Sequence, residues 1–500
     1  MAVASAHVAP RFARRGTRKR YDAIVVGSGV GGSVVSALLA DAGLSVLVLE
    51  KNPVPGGILA SVEKHGCKLD FGSHLVARGA QGPLGQVMRR LHLDRPRFLT
   101  HAIPVRSRGI FPIAAPSSRA GLPRSALEAL RLLDLRPCEK ARLARMVFQL
   151  FTLTELELRR WDRKTLDEFI RQHTDHPGAY LFFAFLASIF FVLPPWQVSA
   201  GESIRCLRRL LADYSLSYVE GGMDALTYAL LAHVVAHGGE IAVSSRVASI
   251  RKPNGALIVE TSEGDTYEAT FVACNVAPMD LLALVEVAAF PAEYVARVKA
   301  IRPSRNAHQL KLVLRRPLVD EGCIIGGISL DGLTLRDLTF ENMRTAVDGI
   351  DDGRVGDPLP IYAPVPTNFD PTLAPDGKQI IVASIYGPTC KNPVDPPERW
   401  KERALAAMAS VIPGLHQELE LVEFVPIAGL GLWMGKSSRS AICNGQFPGQ
   451  VGRDRLSVAT PLEGLYLCGD GAGGRGIGTE LAAVSAMEAA SAITHAHGSR

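Results

Sequence analysis

The chain of 500 residues lacks several features that would assign it to common classes of protein. Its eight cysteines are scattered, without a CxxC pair or a Cys/His cluster, so we predict no metal site and expect a reducing, cytoplasmic compartment. The most apolar run, Tyr180–Leu193, is 14 residues long and too short to span a bilayer. The N-terminus has no apolar segment of the kind that a secretory signal requires.

The excess of positive charge is confined to the start of the chain. The net charge is +6, and six basic residues precede Asp22, which leaves 49 basic against 49 acidic residues in the remainder. A nucleic-acid-binding body would carry its own basic excess, so we predict no nucleic-acid partner. We expect residues 1–19 to form a disordered basic tail. A targeting segment and a contact with anionic lipid are the alternatives for this tail.

A glycine-rich turn near the N-terminus has the spacing of a dinucleotide-binding fingerprint. Gly27, Gly29 and Gly32 follow an apolar strand at 21–26 and precede a helix predicted at 33–42. A second strand, at 45–49, ends at Glu50. Glycine lets backbone N–H groups and the helix N-terminus approach a phosphate, and the acid about 20 residues later bonds a ribose hydroxyl. The sequence therefore predicts a βαβ unit that binds an adenine dinucleotide.

A second glycine-rich turn lies near the other end of the chain. Six of the ten residues from Gly469 to Gly478 are glycine, and they stand between an apolar strand and a predicted helix. Two such turns predict one long cofactor that is held from both sides, and the simplest candidate is FAD. Backbone N–H groups at the helix start after Gly478 would stabilise negative charge on the reduced flavin.

Further motifs resemble the phytoene-desaturase-like branch of the FAD-dependent amine-oxidase superfamily. They are Pro55-Gly56-Gly57, the segment from Gly66 to His74, Tyr218–Leu226, Glu240–Ile250, Phe271–Pro278 and Gly469-Asp470. The resemblance covers roughly residues 20 to 495. It implies an FAD-dependent oxidoreductase that acts by hydride transfer on C–C bonds, with desaturation, saturation or isomerisation as the reaction. The implied substrate is hydrophobic and isoprenoid- or carotenoid-like.

The resemblance also implies which residues serve the cofactor and the reaction. The cofactor-binding set is Gly27, Gly29, Val30, Gly31, Gly32, Glu50, Lys51, Gly56, Gly57, Ile58, Gly72, Ser73, Val247, Asn275, Gly469, Asp470, Gly476, Ile477 and Gly478. The acid–base candidates are His74, Thr479 and Glu480. His74 could instead bond a backbone carbonyl, and Glu480 could merely favour the dipole of its helix.

The chain departs from this family pattern at two places. Ile58 stands where many relatives have an arginine near the pyrophosphate, so we expect backbone amides, or else Arg78 or Arg475, to bind the phosphates. The turn near the flavin carries Arg475, Thr479 and Glu480 within its glycine frame, which argues against phytoene itself as the substrate.

The resemblance implies an α/β fold, with a Rossmann-type FAD-binding domain and a substrate domain of mixed sheet plus helices. We assign residues 20–105, 218–278 and 450–495 to the first domain. The second would have a helical part at 106–217 and a sheet part at 279–449. Apolar spacing predicts helices through 122–156, a capping box predicts another from Thr165, and the stretch 351–377 reads as a loop.

Several alternatives stay open at the level of sequence. The apolar run Tyr180–Leu193 could be a core helix, a wall of a lipophilic tunnel or a shallow membrane-dipping surface. Two interactions are therefore expected: the binding of a hydrophobic small molecule, and as an alternative role of this run a peripheral contact with a membrane. A flavin amine oxidase and a non-enzymatic prenyl or lipid carrier are the alternatives to the C–C oxidoreductase.

Overall fold

The computed structural model describes residues 13, 15–72, 74–108, 113–133, 135–326, 339–356, 359–390 and 392–499. Its strands are, in chain order, β1 (Arg20–Val26), β2 (Val46–Leu49), β3 (Ser61–Lys64), β4 (Cys67–Asp70), β5 (Phe98–Thr100), β6 (Val105–Ser107), β7 (Ala114–Ala115), β8 (Ser217–Val219), β9 (Glu240–Ala242), β10 (Val247–Asn254), β11 (Ala256–Thr261), β12 (Thr266–Cys274), β13 (Ala307–Leu314), β14 (Cys323–Gly326), β15 (Ile361–Pro364), β16 (Gln379–Tyr386), β17 (Leu419–Val425) and β18 (Leu465–Leu467).

The helices occupy most of the remaining chain. They are α1 (Val30–Asp41), α2 (Pro83–Arg90), α3 (Leu122–Leu132), α4 (Pro137–Thr152), α5 (Glu155–Trp161), α6 (Leu166–Arg171), α7 (Pro177–Phe191), α8 (Ala200–Ala212), α9 (Asp224–Ala236), α10 (Pro278–Leu284), α11 (Ala292–Lys299), α12 (Phe340–Asp351), α13 (Pro366–Phe369), α14 (Pro397–Val411), α15 (Leu415–Glu418), α16 (Ile427–Met434) and α17 (Gly478–Gly498). The predicted α/β class and its Rossmann-type unit are confirmed.

The first sheet carries the predicted βαβ unit. Its strands follow the order β10-β11-β12-β1-β2-β9, and β18 pairs with the C-terminal half of β12. The strands β18, β12, β1, β2 and β9 run parallel. Strands of a parallel sheet are buried on both faces, and the last four residues of β1 are accordingly buried without alternation. The helix after the fingerprint begins at Val30, three residues before the predicted start, so it includes the third glycine.

Helices cover both faces of this sheet. Apolar residues of α1, α9 and α17 pack on the face that carries Ala23 and Val25. On the opposite face, which carries Ile24, side chains of α10 and α11 such as Leu281 and Val298 join the same core. The predicted domain boundary at residue 278 therefore differs from the packing, because the chain up to about residue 300 buries its apolar faces against the first sheet.

A second sheet of seven strands has the order β17-β13-β16-β15-β14-β6-β7. Its buried face packs against Trp400, Ala404 and Met408 of α14. The expectation of a loop at 351–377 is wrong in part, since this stretch supplies strand β15 and the short helix α13. Strand β15 is nearly all apolar, and its backbone groups are satisfied by pairing with β14 and β16.

The predicted helical part, α3 to α8, has its own apolar core. The capping box predicted at Thr165 is present: the hydroxyl accepts from the backbone N–H of Glu168, whose carboxylate accepts from the N–H of Thr165. Among the described residues, no helix combines the length and the apolar character needed to cross a membrane.

The described end of the basic tail lies against the first sheet. The backbone of Ala13 bonds to the backbone of Ile241 and Val243, beside β9. Arg15 pairs with Asp265 at 3.0 Å and Arg18 with Glu240 at 3.6 Å. The expectation of a disordered tail through residue 19 is therefore wrong for residues 15–19, whose charges find partners on the sheet. Residues 1–12 and 14 lie outside the described part.

Candidate active site

A cavity of about 600 Å³ opens where the carboxyl ends of the first-sheet strands face the second sheet. Gly27 after β1, Glu50 after β2 and Asn275 after β12 line one side of it. Residues of β13, β15, β16 and the C-terminal end of α7 line the other side. The crevice outside the carboxyl ends of the strands is where open α/β sheets bind their ligands. The fold therefore places both sequence-predicted turns around one ligand site.

The fingerprint glycines divide into two groups by what surrounds them. Gly27, Gly29 and Gly31, with Val30, line the cavity. Gly32 does not line it, and a Cβ there would overlap the carbonyl oxygen of Gly27. The third glycine thus allows α1 to pack closely on β1, while the first two let the chain pass close to a ligand.

The two glycine-rich turns touch each other behind the cavity wall. A Cβ on Gly31 would lie 2.7 Å from the Cα of Gly469 and 2.7 Å from the side-chain oxygen of Asn275. Gly469 has a φ of 94°, which only glycine adopts freely. Gly469 is therefore a packing position and not a lining residue, whereas its neighbour Asp470 faces the cavity.

Glu50 is buried in the cavity wall directly after β2, and its carboxylate holds the first glycine turn in place. One carboxylate oxygen accepts from the backbone N–H of Ser28 at 2.9 Å and from its hydroxyl at 2.6 Å. The other oxygen accepts from the backbone N–H of Asn52 at 2.8 Å. A carboxylate has about four acceptor positions, so these three bonds leave one for a ribose hydroxyl.

Residues after β2 complete this end of the site. Lys51, Gly57, Ile58 and Val247 line the cavity, as the resemblance implied. Gly56 does not line it; its φ of 111° shapes the turn, and its N–H donates to the hydroxyl of Ser28 at 3.3 Å. The ammonium of Lys51 donates to the carbonyl oxygens of Leu432 and Trp433, at 2.8 and 2.6 Å, and so ties α16 to this rim.

Asp470 is held by a half-buried lysine that sequence reasoning did not identify. Its carboxylate accepts from the Lys436 ammonium at 2.9 Å and from the backbone N–H of Cys443 at 2.9 Å. Burial alone would raise the pKa of Asp470, but Lys436 and Cys443 hold it below its ordinary value. The carboxylate is therefore anionic at neutral pH and fixed at the cavity wall.

The second glycine turn is also braced from behind. The buried guanidinium of Arg455 donates to the carbonyl oxygens of Gly473 and Asp470, at 2.9 and 2.7 Å. The carbonyl of Gly476 accepts from Gln446 at 2.6 Å, and its N–H donates to Glu202 at 3.1 Å. Gly476 was predicted to contact the cofactor, but it does not line the cavity, whereas Ile477 and Gly478 do.

Of the two alternatives for the phosphate partners, the one that uses Arg475 or Arg78 is wrong. The guanidinium of Arg475 donates to Asp162, at 2.8 Å, and to Glu202. Arg78 donates to Asp213 and lies 3.6 Å from Glu480. Both arginines are neutralised by carboxylates of the helical part, and neither lines the cavity. Backbone N–H groups of the glycine turns remain the phosphate partners that this site offers.

Glu480 lies in the first turn of α17, is 4% exposed and lines the cavity. Its Oε2 lies 3.6 Å from Arg78, and its Oε1 is buried with no hydrogen-bond partner among the described residues. Burial raises the pKa of Glu480 above its ordinary value, although Arg78 opposes this. A carboxyl group with one free buried oxygen at a cavity wall can exchange a proton with a bound ligand.

His74 also lines the cavity, with its Nδ1 buried and unpartnered among the described residues. Burial lowers the pKa of His74, against the effect of a backbone contact with Gly72, so the imidazole is neutral near pH 7. A side chain at Gly72 would overlap the ring, which explains the glycine there. Thr479 lines the cavity and is half-buried. The predicted cofactor contact of Ser73 falls on a residue outside the described part.

A buried carboxyl group fixes the strand that leads to His74. Asp70, the last residue of β4, accepts from the hydroxyls of Tyr218 and Ser61, the latter at 2.7 Å. Burial raises the pKa of Asp70 to about 6, although these hydrogen bonds oppose it. Sequence reasoning missed Asp70 as a brace, although it is the acid of the glycine-flanked motif that ends at His74.

The part of the cavity wall formed by the end of α7 is mainly apolar. Ser188, Ile189 and Phe190 of α7 line it, together with Val192 directly after the helix. A smaller apolar cavity of about 40 Å³ lies on the other side of α7, and Phe190 and Ile477 line both. The described side chains of α7 are buried or half-buried. In its described residues, the run Tyr180–Leu193 is therefore a core helix and a cavity wall at once.

Two other aromatic side chains of this wall were not predicted. Tyr362 of β15 and Tyr386 of β16 face the cavity from the second sheet. Burial raises the pKa of both hydroxyls, so both are neutral. No local motif marks these residues, because their position depends on the pairing of β14, β15 and β16. Lys436 and Trp433 were missed for the same reason: they reach the site from the end of α16.

The comparisons with known proteins agree with this geometry. The family model described as "Flavin containing amine oxidoreductase" matches residues 34–494. Human all-trans-retinol 13,14-reductase is 37% identical over 75 residues, which are 15% of this chain and 12% of that protein. Carrot chloroplastic prolycopene isomerase is 48% identical over 61 residues, 12% of this chain and 10% of that protein. The chain thus matches only about a tenth of the length of these two relatives.

Longer matches have lower identity. A 4,4'-diapolycopene oxygenase from a Methylomonas species is 24% identical over 395 residues, 72% of this chain and 74% of that protein. An oxidoreductase from Methanosarcina mazei has a TM-score of 0.67 at 20% identity, with 93% of this chain and 98% of that chain covered. Putrescine oxidase bound to putrescine gives 0.65 at 13% identity, with 96% and 99% covered. At these identities the two solved structures show the fold alone.

The described residues fit a flavin dinucleotide, because the glycine turns leave room for close approach and the buried carboxylate of Glu50 follows β2, where the fingerprint requires an acid for a ribose hydroxyl. The relatives confirm the predicted resemblance to carotenoid- and retinoid-modifying enzymes. The chain belongs to the flavin containing amine oxidoreductase family, which confirms the predicted cofactor, FAD, and the predicted class, a flavin-dependent oxidoreductase.

Proposed function

We propose that the protein transfers hydride to or from C–C bonds of a hydrophobic, isoprenoid-like substrate, with desaturation, saturation or isomerisation as the outcome. The observation that carries this proposal is the shape of the cavity. It runs from the fingerprint to the apolar wall of α7, and Phe190 and Ile477 separate it from a second apolar cavity. An extended hydrocarbon chain has apolar surface to bury along this path, at about 25 cal/mol per Å².

The names of the relatives support the same class. Retinol, prolycopene and diapolycopene, after which three of them are named, are conjugated isoprenoids. The glycine cradle and Glu50 weigh against a carrier that does without flavin.

Each part of the site has a proposed task. FAD, when bound, supplies the hydride chemistry. The turn Gly27–Gly31 and Glu50 hold the adenosine end, and Asp470 with the N-terminus of α17 holds the flavin end, where the helix dipole stabilises negative charge. The apolar wall of α7 orients the substrate and excludes water. Glu480 exchanges the proton that accompanies hydride transfer, next to the neutral imidazole of His74 and the hydroxyl of Thr479.

The proposed reaction is tested with purified protein and a lipid extract. We expect a flavin absorbance spectrum, and after incubation a polyene or prenyl lipid whose mass has changed by two hydrogens, or an isomer of unchanged mass. Protein stripped of FAD serves as the control. A colourless protein that retains lipid would support the carrier, and oxidation of a diamine instead of a lipid would support the amine oxidase.

Replacing Glu50 tests the adenosine end. We expect Glu50→Ala to weaken FAD binding by about 1–3 kcal/mol, because ribose hydroxyls lose a charged partner. The matched control is Ser28→Ala, which removes the same hydroxyl–carboxylate bond inside the turn but keeps the carboxylate. The measurement is FAD affinity by fluorescence titration. Wild-type affinity in Glu50→Ala, or an equal loss in Ser28→Ala, would contradict the assignment.

Replacing Glu480 tests the proton transfer. We expect Glu480→Gln to retain FAD but to slow turnover by roughly 10²–10⁴-fold. If the protonated carboxyl is the active form, wild-type activity falls as pH rises through the pKa that burial has raised, and the variant lacks this limb. Glu398→Gln, which changes an exposed acid in the first turn of α14, is the control. A small rate loss with an unchanged pH profile would mean that Glu480 only favours its helix.

We also propose peripheral membrane contact, through α3–α5 and not through the tail or α7. Seven of the 12 large apolar side chains that are exposed in the described structure belong to these helices, among them Phe148 at 67% and Phe151 at 53%. Exposed Arg131, Lys140 and Arg142 on α3 and α4 make no ion pair with a described residue. Apolar side chains interspersed with unpaired cations fit an anionic bilayer surface.

The other face of α4 points towards the site. Its Met146 and Leu150 line the smaller apolar cavity, so a single helix separates the exposed phenylalanines from the cavity behind α7. A lipophilic substrate dissolves in the bilayer and not in water, and a bilayer-facing α4 would place its source next to the apolar end of the site.

Vesicle sedimentation tests this surface. We expect binding to phosphatidylcholine vesicles that contain phosphatidylserine, and weaker binding in high salt. The double variant Phe148→Ser/Phe151→Ser should bind about tenfold more weakly or worse, since each buried ring contributes roughly 1.5–3 kcal/mol. Val394→Ser changes a side chain 63% exposed elsewhere and should bind as wild type. Undiminished binding of the double variant would contradict the proposal, and loss of binding on deletion of residues 1–12 would assign the contact to the tail.

A further inference from the structure

We infer that Asp41, His233 and His237 form a binding site for a divalent transition metal on the first domain, outside the cofactor cavity. Each side chain offers one ligand atom, and these atoms all lie within 4.8 Å of one another. None of the three residues lines the cavity. The site is independent of the proposed reaction, and it departs from the prediction, made from the sequence, that the chain has no metal site.

Two helices bring the three residues together. Asp41 is the last residue of α1, His233 lies in the last turn of α9, and His237 directly follows the last residue of α9. Residues four apart on a helix share a face, and the two imidazole rings have centroids 4.0 Å apart. The Nε2 of His233 lies 3.1 Å from the Oδ1 of Asp41. The packing of α1 against α9 thus adds a carboxylate to a histidine pair.

A backbone contact prepares one of the histidines for a metal. The Nδ1 of His237 lies 2.9 Å from the carbonyl oxygen of His233. A carbonyl oxygen only accepts, so Nδ1 carries the hydrogen and Nε2 keeps its lone pair. Metal-binding histidines are oriented in this way, with the second ring nitrogen bonded to a carbonyl or carboxylate.

The ligand set selects the class of metal. Two imidazoles and one carboxylate suit Zn²⁺, and also Ni²⁺ or Cu²⁺, whereas Ca²⁺ and Mg²⁺ prefer an all-oxygen set. Asp41 and His237 are exposed, so water can fill the remaining coordination positions. The site needs no thiol, which is why the scattered cysteines did not reveal it.

A metal here would join the C-terminal ends of two helices of the FAD-binding domain. The N-terminal end of α1 lies at the fingerprint, directly after Gly29, and faces the cofactor site. The metal would fix the C-terminal end of the same helix to α9. The structure therefore assigns the site a stabilising role for this domain, without a part in hydride transfer.

Calorimetric titration of the full-length, tag-free, FAD-loaded protein with Zn²⁺, after chelator treatment, tests the inference. We expect one Zn²⁺ per chain and a higher melting temperature with the metal. Single substitutions His237→Ala and Asp41→Asn should each weaken binding by at least about tenfold. They should retain their FAD absorbance, which shows that the domain is folded. His495→Ala changes an exposed helix histidine elsewhere and should bind Zn²⁺ as wild type does.

Two results would overturn the inference. One is the lack of saturable binding of Zn²⁺, Ni²⁺ and Cu²⁺ to the wild type. The other is an unchanged Zn²⁺ affinity in both His237→Ala and Asp41→Asn. If His495→Ala weakened binding as much as these two variants, the metal would sit at another histidine and the assignment would likewise be wrong.

Discussion

The close packing of two glycine-rich turns is the constraint on which the site depends. Gly31 of the first turn approaches the backbone of Gly469 in the second, and the side chain of Asn275 stands against both. No side chain larger than hydrogen fits at these positions without displacing backbone. This contact joins two segments more than 400 residues apart in sequence, and residues of both segments line the same cavity.

Charge buried behind the second turn fixes it to the helical part. Asp162, at 5% exposure, accepts from Arg475 at 2.8 Å and from Arg205 at 2.6 Å. Glu202, at 1% exposure, accepts from the N–H of Gly476 and from Arg475. Removing one partner of such a network leaves an uncompensated buried charge, which costs about 3–5 kcal/mol. These ion pairs therefore connect the helical part of the chain to the glycine turn of the cofactor site. Arg475, which makes two of them, was expected to bind phosphate.

The local parts of the fold could be predicted from the sequence. The first βαβ unit is contiguous in the chain. The spacing of its strand, glycine turn, helix and acid predicts an arrangement that the structure confirms. The same holds for the capping box at Thr165 and for the helices α3 to α5. The partners of Arg475 and Arg78 could not be predicted, because Asp162, Glu202 and Asp213 come from helices whose packing no local pattern specifies.

The long-range parts of the site explain the remaining differences. Lys436, Tyr362 and Tyr386 reach the cavity through the second sheet and the end of α16, and each looks like an ordinary core or surface residue in the sequence. Strand β15 lies in a stretch that the sequence predicts as a loop, because prolines and aspartates surround the strand. The apolar run of α7 could be recognised as buried, but only the tertiary structure shows that it borders two cavities.

We propose that the α7 side of the cavity presents a hydrocarbon chain to the flavin. Anaerobic mixing of the FAD-loaded protein with candidate substrates, followed by flavin absorbance in a single turnover, tests it directly. We expect a carotenoid- or retinoid-like polyene to change the redox state of the bound flavin and putrescine to leave it unchanged. Reduction of the flavin by putrescine, with no response to any polyene in either redox state, would contradict it.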